Sequence, residues 1–255
     1  MSLHALVRSP VPSLQEGERT HIAREPIDFE LAQDQHRRYV EALRQGGAEI
    51  VQVPAAPELP DSVFIEDTAL VLGSLAVIAR SGAESRRAET PPVAAVLRRY
   101  CQLEYTQAPA TFDAGDALTI DRRVYVGRAA RTNQAGIEFL TILLSRHGYE
   151  VVSVPLSGCL HLKSAINYLG NDTVLLNPQW IPRDLFAQYA QVDVDPQEPM
   201  GVSALLVGEQ LLLSSNYPRT VERVEARKFT PRVLDLGEFH RAEGGLTCLS
   251  ILIDG

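Results

Sequence analysis

One arrangement recurs along the chain and restricts its fold more than any single motif does. It is an apolar run, a polar turn of two or three residues, and a second apolar run. It occurs as TALVL-GS-LAVIA (Thr68–Ala79), DALTI-DRR-VYVGR (Asp116–Arg128), AINYL-GND-TVLLN (Ala165–Asn177) and SALLV-GEQ-LLLSS (Ser203–Ser215). Each reads as a β-hairpin, since short aliphatic runs are broken by residues that tolerate tight turns. The turns begin at Gly73, Asp121, Gly170 and Gly208, at intervals of 48, 49 and 38 residues. Self-similarity at such a period marks a repeat architecture.

The segment after each hairpin recurs too. ESRRAETPPVAAVLRRYC then QLEYTQAP, TNQAGIEFLTILLSRHG then YEVVSVP, and YPRTVERVEARKF then PRVLDL each read as a helix and a returning strand. Ile137, Leu140, Ile142, Leu143 and Leu144 have helix-like apolar spacing, and Pro91 and Pro92 suit a helix start. The third unit offers only PRDLFAQYA as its helix. The N-terminal part supplies a strand (4–8), a polar loop (10–26), a helix (27–45) and a strand (49–53), but no hairpin. The C-terminal run 248–253 is a strand without a helix after it. Joined, the two ends complete a fifth unit. The pattern admits an open α/β sheet with unequal hairpins. It also admits five ββαβ units around an axis, a five-bladed pseudo-symmetric α/β propeller closed by pairing of the N- and C-terminal strands. Closure of that kind leaves few exposed sheet edges.

Composition narrows the class. The chain has 255 residues, 45% of them hydrophobic and 22% charged, which suits a globular protein with a sizeable core. We read residues 1–255 as one domain. The net charge of −8 argues against a nucleic-acid partner, which needs a basic face. Cys101, Cys159 and Cys248 are odd in number and widely spaced, unlike a disulfide framework or zinc site, so no metal is expected. MSLHALVRSPVPSL lacks a secretory core, and no apolar run reaches the roughly 18 residues of a membrane span. The expectation is a soluble protein of the cytoplasm with no membrane partner.

Polar residues gather where the units begin. PDSVFIED holds Asp61, Glu66 and Asp67; TFDAGD holds Asp113 and Asp116; CLHLKS holds His161; EGGLTC holds Cys248. Each has an ordinary structural explanation. A cysteine in an apolar strand usually packs in the core, a histidine between two leucines is usually a hydrogen-bonded structural residue, and aspartates around Ala-Gly make turns. Around a shared axis, however, equivalent strand starts converge, and a thiol, an imidazole and several carboxylates meet. That is the content of a nucleophilic site with a proton shuttle. Arg86 and Arg87 follow a glycine turn and Arg131 precedes a helix. An arginine fork suits a carboxylate. Carboxylates at one end of a pocket and arginines at the other fit a zwitterion with a cationic side chain, such as an arginine derivative.

DSVFIEDTALV, RSGAESRRAET, FDAGD, YVGRAARTNQAG, LHLKSA and GGLTCLS, in order from about residue 4 to residue 253, resemble the dimethylarginine dimethylaminohydrolases. These belong to the guanidine-modifying (pentein) superfamily, whose fold is a five-bladed α/β propeller. The resemblance implies Cys248 as nucleophile, His161 as general acid and base, and Asp113 as the residue orienting His161. It implies Glu66 and Asp67 in the guanidinium pocket, Asp67 in direct contact, with Asp61 a nearby polar contact. Arg86 and Arg131 match the pair that holds the substrate α-carboxylate. Glu18 and Ala242 match positions whose backbone carbonyls approach the α-amino group. Two positions depart from the pattern: many relatives have Glu at the position of Asp113, and many have an apolar residue at that of Glu18, in the lid loop LQEGERTHIAREP.

The reaction so implied is hydrolysis of the guanidinium C–N bond of methylated arginine, giving citrulline and an alkylamine through a Cys-linked S-alkylthiouronium, without cofactor. An arginine deiminase-like hydrolase of the same fold is the near rival, and a non-catalytic pentein binding protein the distant one. Retention of Cys248, His161 and the acidic set stands against the latter. A homodimer follows only from family habit.

Overall fold

A computed structural model describes residues 2–254. The chain opens with β1 (Leu3–Arg8), a loop, α1 (Phe29–Gln45) and β2 (Ala48–Val53). The first hairpin unit is β3 (Ala69–Leu72), β4 (Leu75–Ile78), α2 (Thr90–Leu97) and β5 (Gln102–Tyr105). The second is β6 (Ala117–Ile120), β7 (Arg123–Arg128), α3 (Gln134–Ser145) and β8 (Glu150–Pro155). The third is β9 (Ile166–Gly170), β10 (Thr173–Leu176) and β11 (Ala190–Asp193). The fourth is β12 (Ala204–Val207), β13 (Gln210–Ser214), α4 (Pro218–Glu225) and β14 (Arg232–Leu234). A short α5 (Gly237–His240) leads to β15 (Ser250–Asp254).

The strands form five three-stranded sheets on one plan. In each unit the hairpin is antiparallel and the returning strand lies parallel to the hairpin's second strand. The last sheet is assembled from both ends of the chain: β15 pairs antiparallel with β1, Leu6 opposite Ile251, and β1 pairs parallel with β2. The five inner strands face a common axis. A cavity of about 300 Å³ is lined by Leu70, Leu118, Tyr168, Leu205 and Ile251, one from each of β3, β6, β9, β12 and β15. The five-bladed ring is thus the architecture, and the open sheet is excluded.

Local chemistry explains the elements. Asn171 and Asp172 both have positive φ, 49° and 51°, as a two-residue turn between right-twisted strands requires. In α1, Ala32, Gln35, His36, Tyr39, Ala42 and Leu43 make one buried face at helical spacing. Asp28 caps it by accepting from Leu31 N–H, so the helix starts two residues later than its apolar pattern suggests. Asn133 caps α3 by accepting from Gly136 N–H.

Two expectations change. PRDLFAQYA forms only a 3₁₀ turn at Arg183–Phe186, because a turn over Asn177–Trp180 and Pro182 consume the short connection to β11. The final strand begins at Ser250, not at Cys248. Thr247–Leu249 is a 3₁₀ turn, held in part by Gly245 N–H donating to Cys248 Sγ at 3.3 Å. No helix among the described residues is long and apolar enough to cross a membrane.

Leu6 is fully buried in the core shared by the closing sheet and α2. Leu6→Ala is expected to lower unfolding stability by about 3 kcal/mol, the usual range for a buried leucine truncation, measured by urea denaturation.

Candidate active site

Four of the inner strands are entered through the same device. The 3₁₀ turns Ile65–Thr68, Ala114–Asp116, Leu162–Ser164 and Thr247–Leu249 stand just before β3, β6, β9 and β15. They carry Glu66 and Asp67, Asp116, and Cys248, while Asp113 and His161 are the residues immediately before two of them. Because the strands surround one axis, the turns meet at one end of it. Their packing is close: a Cβ on Gly115 would lie 2.4 Å from Asp67 Oδ1 and 3.0 Å from His161 Nδ1, so only glycine fits there.

A small pocket opens at this end. Its wall is Glu18, Asp61, Phe64, Asp67, Arg86, Arg131, Leu160, His161, Ala242, Glu243, Gly244 and Cys248. Eight of the ten residues expected from sequence line it. The other two lie alongside. Asp113 is fully buried behind His161, its Oδ2 3.4 Å from His161 Nε2. Glu66 lines the axial cavity instead and accepts from Lys163 Nζ at 2.6 Å.

Charges alternate through the site. Glu89 holds Arg86 in a two-pronged contact at 2.8 and 3.1 Å, and Arg86 Nη1 lies 2.5 Å from Asp67 Oδ2. Asp67 Oδ1 is 3.6 Å from His161 Nδ1. Beyond His161 come Asp113, then Arg131 with its Nη1 3.7 Å from Asp113 Oδ2, then Glu18 with its Oε2 2.5 Å from Arg131 Nη2. Asp113 Oδ1 accepts from Gly82 N–H at 3.2 Å. Several buried atoms of this set have no hydrogen-bond partner: Asp67 Oδ1, Asp113 Oδ2, Arg131 Nη1 and His161 Nε2. Such atoms are rare in native proteins, and their concentration here suits a site completed by a ligand.

The electrostatics follow from burial and neighbours. Burial disfavours the His161 cation, but Asp67, Asp116 and Asp113 together outweigh it and push His161 up to about 9. Asp67 is itself destabilised as an anion by burial, yet His161 and Arg86 pull it below the ordinary aspartate value. Burial, followed by Glu66 and Asp67, pushes the Cys248 thiol up to about 12. Burial pushes Asp116 up to about 7, while its oxygens accept from Thr132 Oγ1 at 2.6 Å and Leu162 N–H at 3.1 Å. Cys248 is thus a neutral thiol at ordinary pH and His161, in the same pocket wall, an imidazolium.

Asp67, Asp113 and His161 bring three potential metal-ligand atoms within 4.8 Å of one another. Arg86 already engages Asp67, and an imidazolium has no lone pair to give, so the grouping is an ion-pair relay in composition.

Several contributors escaped sequence reasoning. Glu89, three residues after Arg86, and Lys163, two after His161, are paired with residues the motifs did single out. Glu243 holds the loop between β1 and α1: its carboxylate accepts from Thr20 N–H at 2.6 Å and His21 N–H at 2.9 Å. Phe64 packs where a Cβ on Gly244 would lie 2.1 Å from its ring, which fixes the glycine before the Cys248 turn. Cys101 and Cys159 lie outside the pocket, both buried.

Known proteins are similar to this chain in sequence and fold. A family model described as "N,N dimethylarginine dimethylhydrolase, eukaryotic" matches residues 18–193. The N(G),N(G)-dimethylarginine dimethylaminohydrolase of Streptomyces coelicolor is 43% identical over 98% of this chain and 96% of its own length. The protein of that name from Pseudomonas aeruginosa is 31% identical over 98% of this chain and 99% of its own. The crystal structure of a Pseudomonas aeruginosa dimethylarginine dimethylaminohydrolase, a cysteine-to-serine mutant complexed with citrulline, superposes with a TM-score of 0.94 at 30% identity, covering 99% of this chain and 100% of that one. The N-terminal domain of ArgZ, an arginine dihydrolase, shares the fold at a TM-score of 0.87 and 21% identity, covering 100% of this chain and 98% of that one.

Removing one carboxylate charge tests the electrostatics. Asp113→Asn keeps an acceptor for Gly82 N–H but loses the anion beside His161 Nε2. The His161 midpoint is expected to fall from about 9 by about one pH unit or more, read from its ring protons by NMR titration. An unmoved midpoint would show that Asp113 does not hold the cation.

Proposed function

The chain belongs to the dimethylarginine dimethylaminohydrolase family, and from that premise we propose that it hydrolyses methylated arginine to citrulline and an alkylamine. Residues 1–255 act as one catalytic domain in the cytoplasm, with three free thiols suited to a reducing compartment. What supports the reading most is that Cys248, His161 and Asp67, from the start of three different blades, line one pocket.

The substrate guanidinium lies against Asp67, with Asp61 nearby and Glu66 adding negative field from the axial side. Arg131 and Arg86 are the anchors for the α-carboxylate, and the carbonyls of Glu18 and Ala242 receive the α-ammonium. The bound cation offsets the same carboxylates that push the Cys248 thiol up, so substrate binding favours the thiolate. The thiol proton leaves to solvent, and the sulfur attacks the central guanidinium carbon.

His161 supplies the leaving-group proton. Asp113 faces its Nε2, which leaves Nδ1, on the Asp67 side, toward the guanidinium. The methylated nitrogen takes that proton and departs as a neutral amine. A planar S-alkylthiouronium remains on Cys248. His161, now neutral, accepts a proton from water as its oxygen attacks the same carbon. Expulsion of the sulfur, with return of the proton, yields citrulline and the resting enzyme. Holding the guanidinium's plane against Asp67 is positioning catalysis.

Arginine, its mono- and dimethyl forms and shorter guanidino acids would be assayed for ureido product. At least one methylated arginine is expected to turn over, and Cys248→Ser is expected to lose about a thousandfold or more in kcat. Equal activity in the mutant would exclude the covalent route. A second measurement concerns the resting thiol. With Cys248 pushed up to about 12, its alkylation by iodoacetamide in the ligand-free protein is expected to be slow at pH 7 and to rise about tenfold per pH unit toward pH 10, read by peptide mass spectrometry. A rate already level at pH 7 would mean a preformed thiolate.

A further inference from the structure

Every guanidinium in the pocket wall already has a carboxylate. For Arg86 the partners, Glu89 and Asp67, are buried with it. Arg131 differs. Its close partner is Glu18, whose side chain is 41% exposed against 9% for Arg131. Glu18 sits on the loop between β1 and α1, not on a blade. The Ser85 hydroxyl donates to its other carboxylate oxygen, and its backbone N–H donates to Asp61 at 2.9 Å. With Glu18 so held, the pocket keeps about 20 Å³ of free space, room for about one water. An amino-acid-sized ligand needs far more.

We propose that the Glu18 carboxylate is an internal stand-in for the substrate's carboxylate: it occupies Arg131 until a carboxylate-bearing guanidine displaces it, and so sets the enzyme's selectivity for substrates with that group. The inference rests on the reading of the pocket as a guanidine hydrolase site, since it takes Arg131 as the carboxylate anchor.

The exchange has a definite signature. A substrate carboxylate replaces Glu18 at Arg131 charge for charge, so its apparent affinity is reduced by the fraction of molecules in which Arg131 is free. A substrate without a carboxylate has nothing to put in that place. It leaves Glu18 on Arg131, and its amine gains a nearby anion. Glu18 therefore opposes one substrate class and spares or assists the other. A purely structural lid residue would affect both alike.

Steady-state kinetics would compare the intact wild-type protein with Glu18→Gln and Glu18→Leu, on a methylated arginine and on its decarboxylated counterpart. Both variants are expected to lower KM for the methylated arginine about three- to tenfold. KM for the decarboxylated compound is expected to stay or rise. A KM for the methylated arginine that stays or rises in both variants overturns the proposal, as does an equal fall for both substrates. Calorimetric binding of L-citrulline separates this inference from the assigned activity. Tighter citrulline binding by Glu18→Gln, without turnover by the wild type, would sink the activity and keep the stand-in. Turnover without tightening would do the reverse, and absence of both would sink both.

Discussion

Seven side chains form a line of alternating charge across the end of the ring: Glu89, Arg86, Asp67, His161, Asp113, Arg131 and Glu18. All but Glu18 are buried. A lone charge at such depth would neutralise or drag the surrounding structure toward water. Each buried member lies within 4 Å of a neighbour of opposite sign. The line is therefore a single object, in which deleting an interior member strands two others. In comparable buried pairs that costs about 3–5 kcal/mol. Its central member, His161, shows the balance most directly, because desolvation alone would make it neutral and the flanking carboxylates make it a cation.

Only a closed ring supplies such a line. Asp67 precedes β3, Asp113 precedes β6 and His161 precedes β9, so two contacts within 4 Å, both made by His161, join residues from three blades. In an open sheet the same strand starts would lie along an edge, and a strand-to-strand spacing of roughly 5 Å would separate neighbours progressively. The 3₁₀ turns add the second requirement. They end each approach abruptly and bring the turns into contact near the axis. There is little tolerance in this, as the space at Gly115 shows: one methyl would displace either Asp67 or His161.

The sequence carried the blades well and the site unevenly, for a physical reason. Hairpins and amphipathic helices reveal themselves because burial imposes a period on neighbouring residues. The four hairpins, α3 and the joining of the two ends were all legible in that way. The placement of Cys248 on a turn was not, because three residues are too few to show a period. The pairing of Arg86 with Glu89 and of Lys163 with Glu66 was also hidden. A charged residue near a motif looks the same whether it faces solvent or a buried partner. Glu66 and Asp67 illustrate the limit: adjacent in sequence and alike in charge, they face different cavities, one along the axis and one in the pocket. Their direction is set by the 3₁₀ turn, which no composition argument contains.

The segment before Cys248 has two attachments of opposite character. On one side Glu243 accepts from Thr20 and His21 N–H, and Arg241 C=O accepts from Arg19, so the loop between β1 and α1 is tied directly to residues 241–243. On the other side the same segment is fixed to the fourth blade. His240 Nδ1 lies 2.9 Å from Gly244 O, and its Nε2 lies 2.8 Å from Ser214 Oγ on β13. Burial pushes His240 down to about 4, so it is neutral at ordinary pH. The carbonyl can only accept, which puts the ring proton on Nδ1. Leu246 N–H donates to Ser203 Oγ at 3.0 Å, and Tyr39 OH donates to Leu246 O at 2.9 Å. The loop contacts are exposed and charged, whereas these are sheltered and neutral. The Cys248 turn is thus anchored to the ring by contacts that do not involve the loop between β1 and α1.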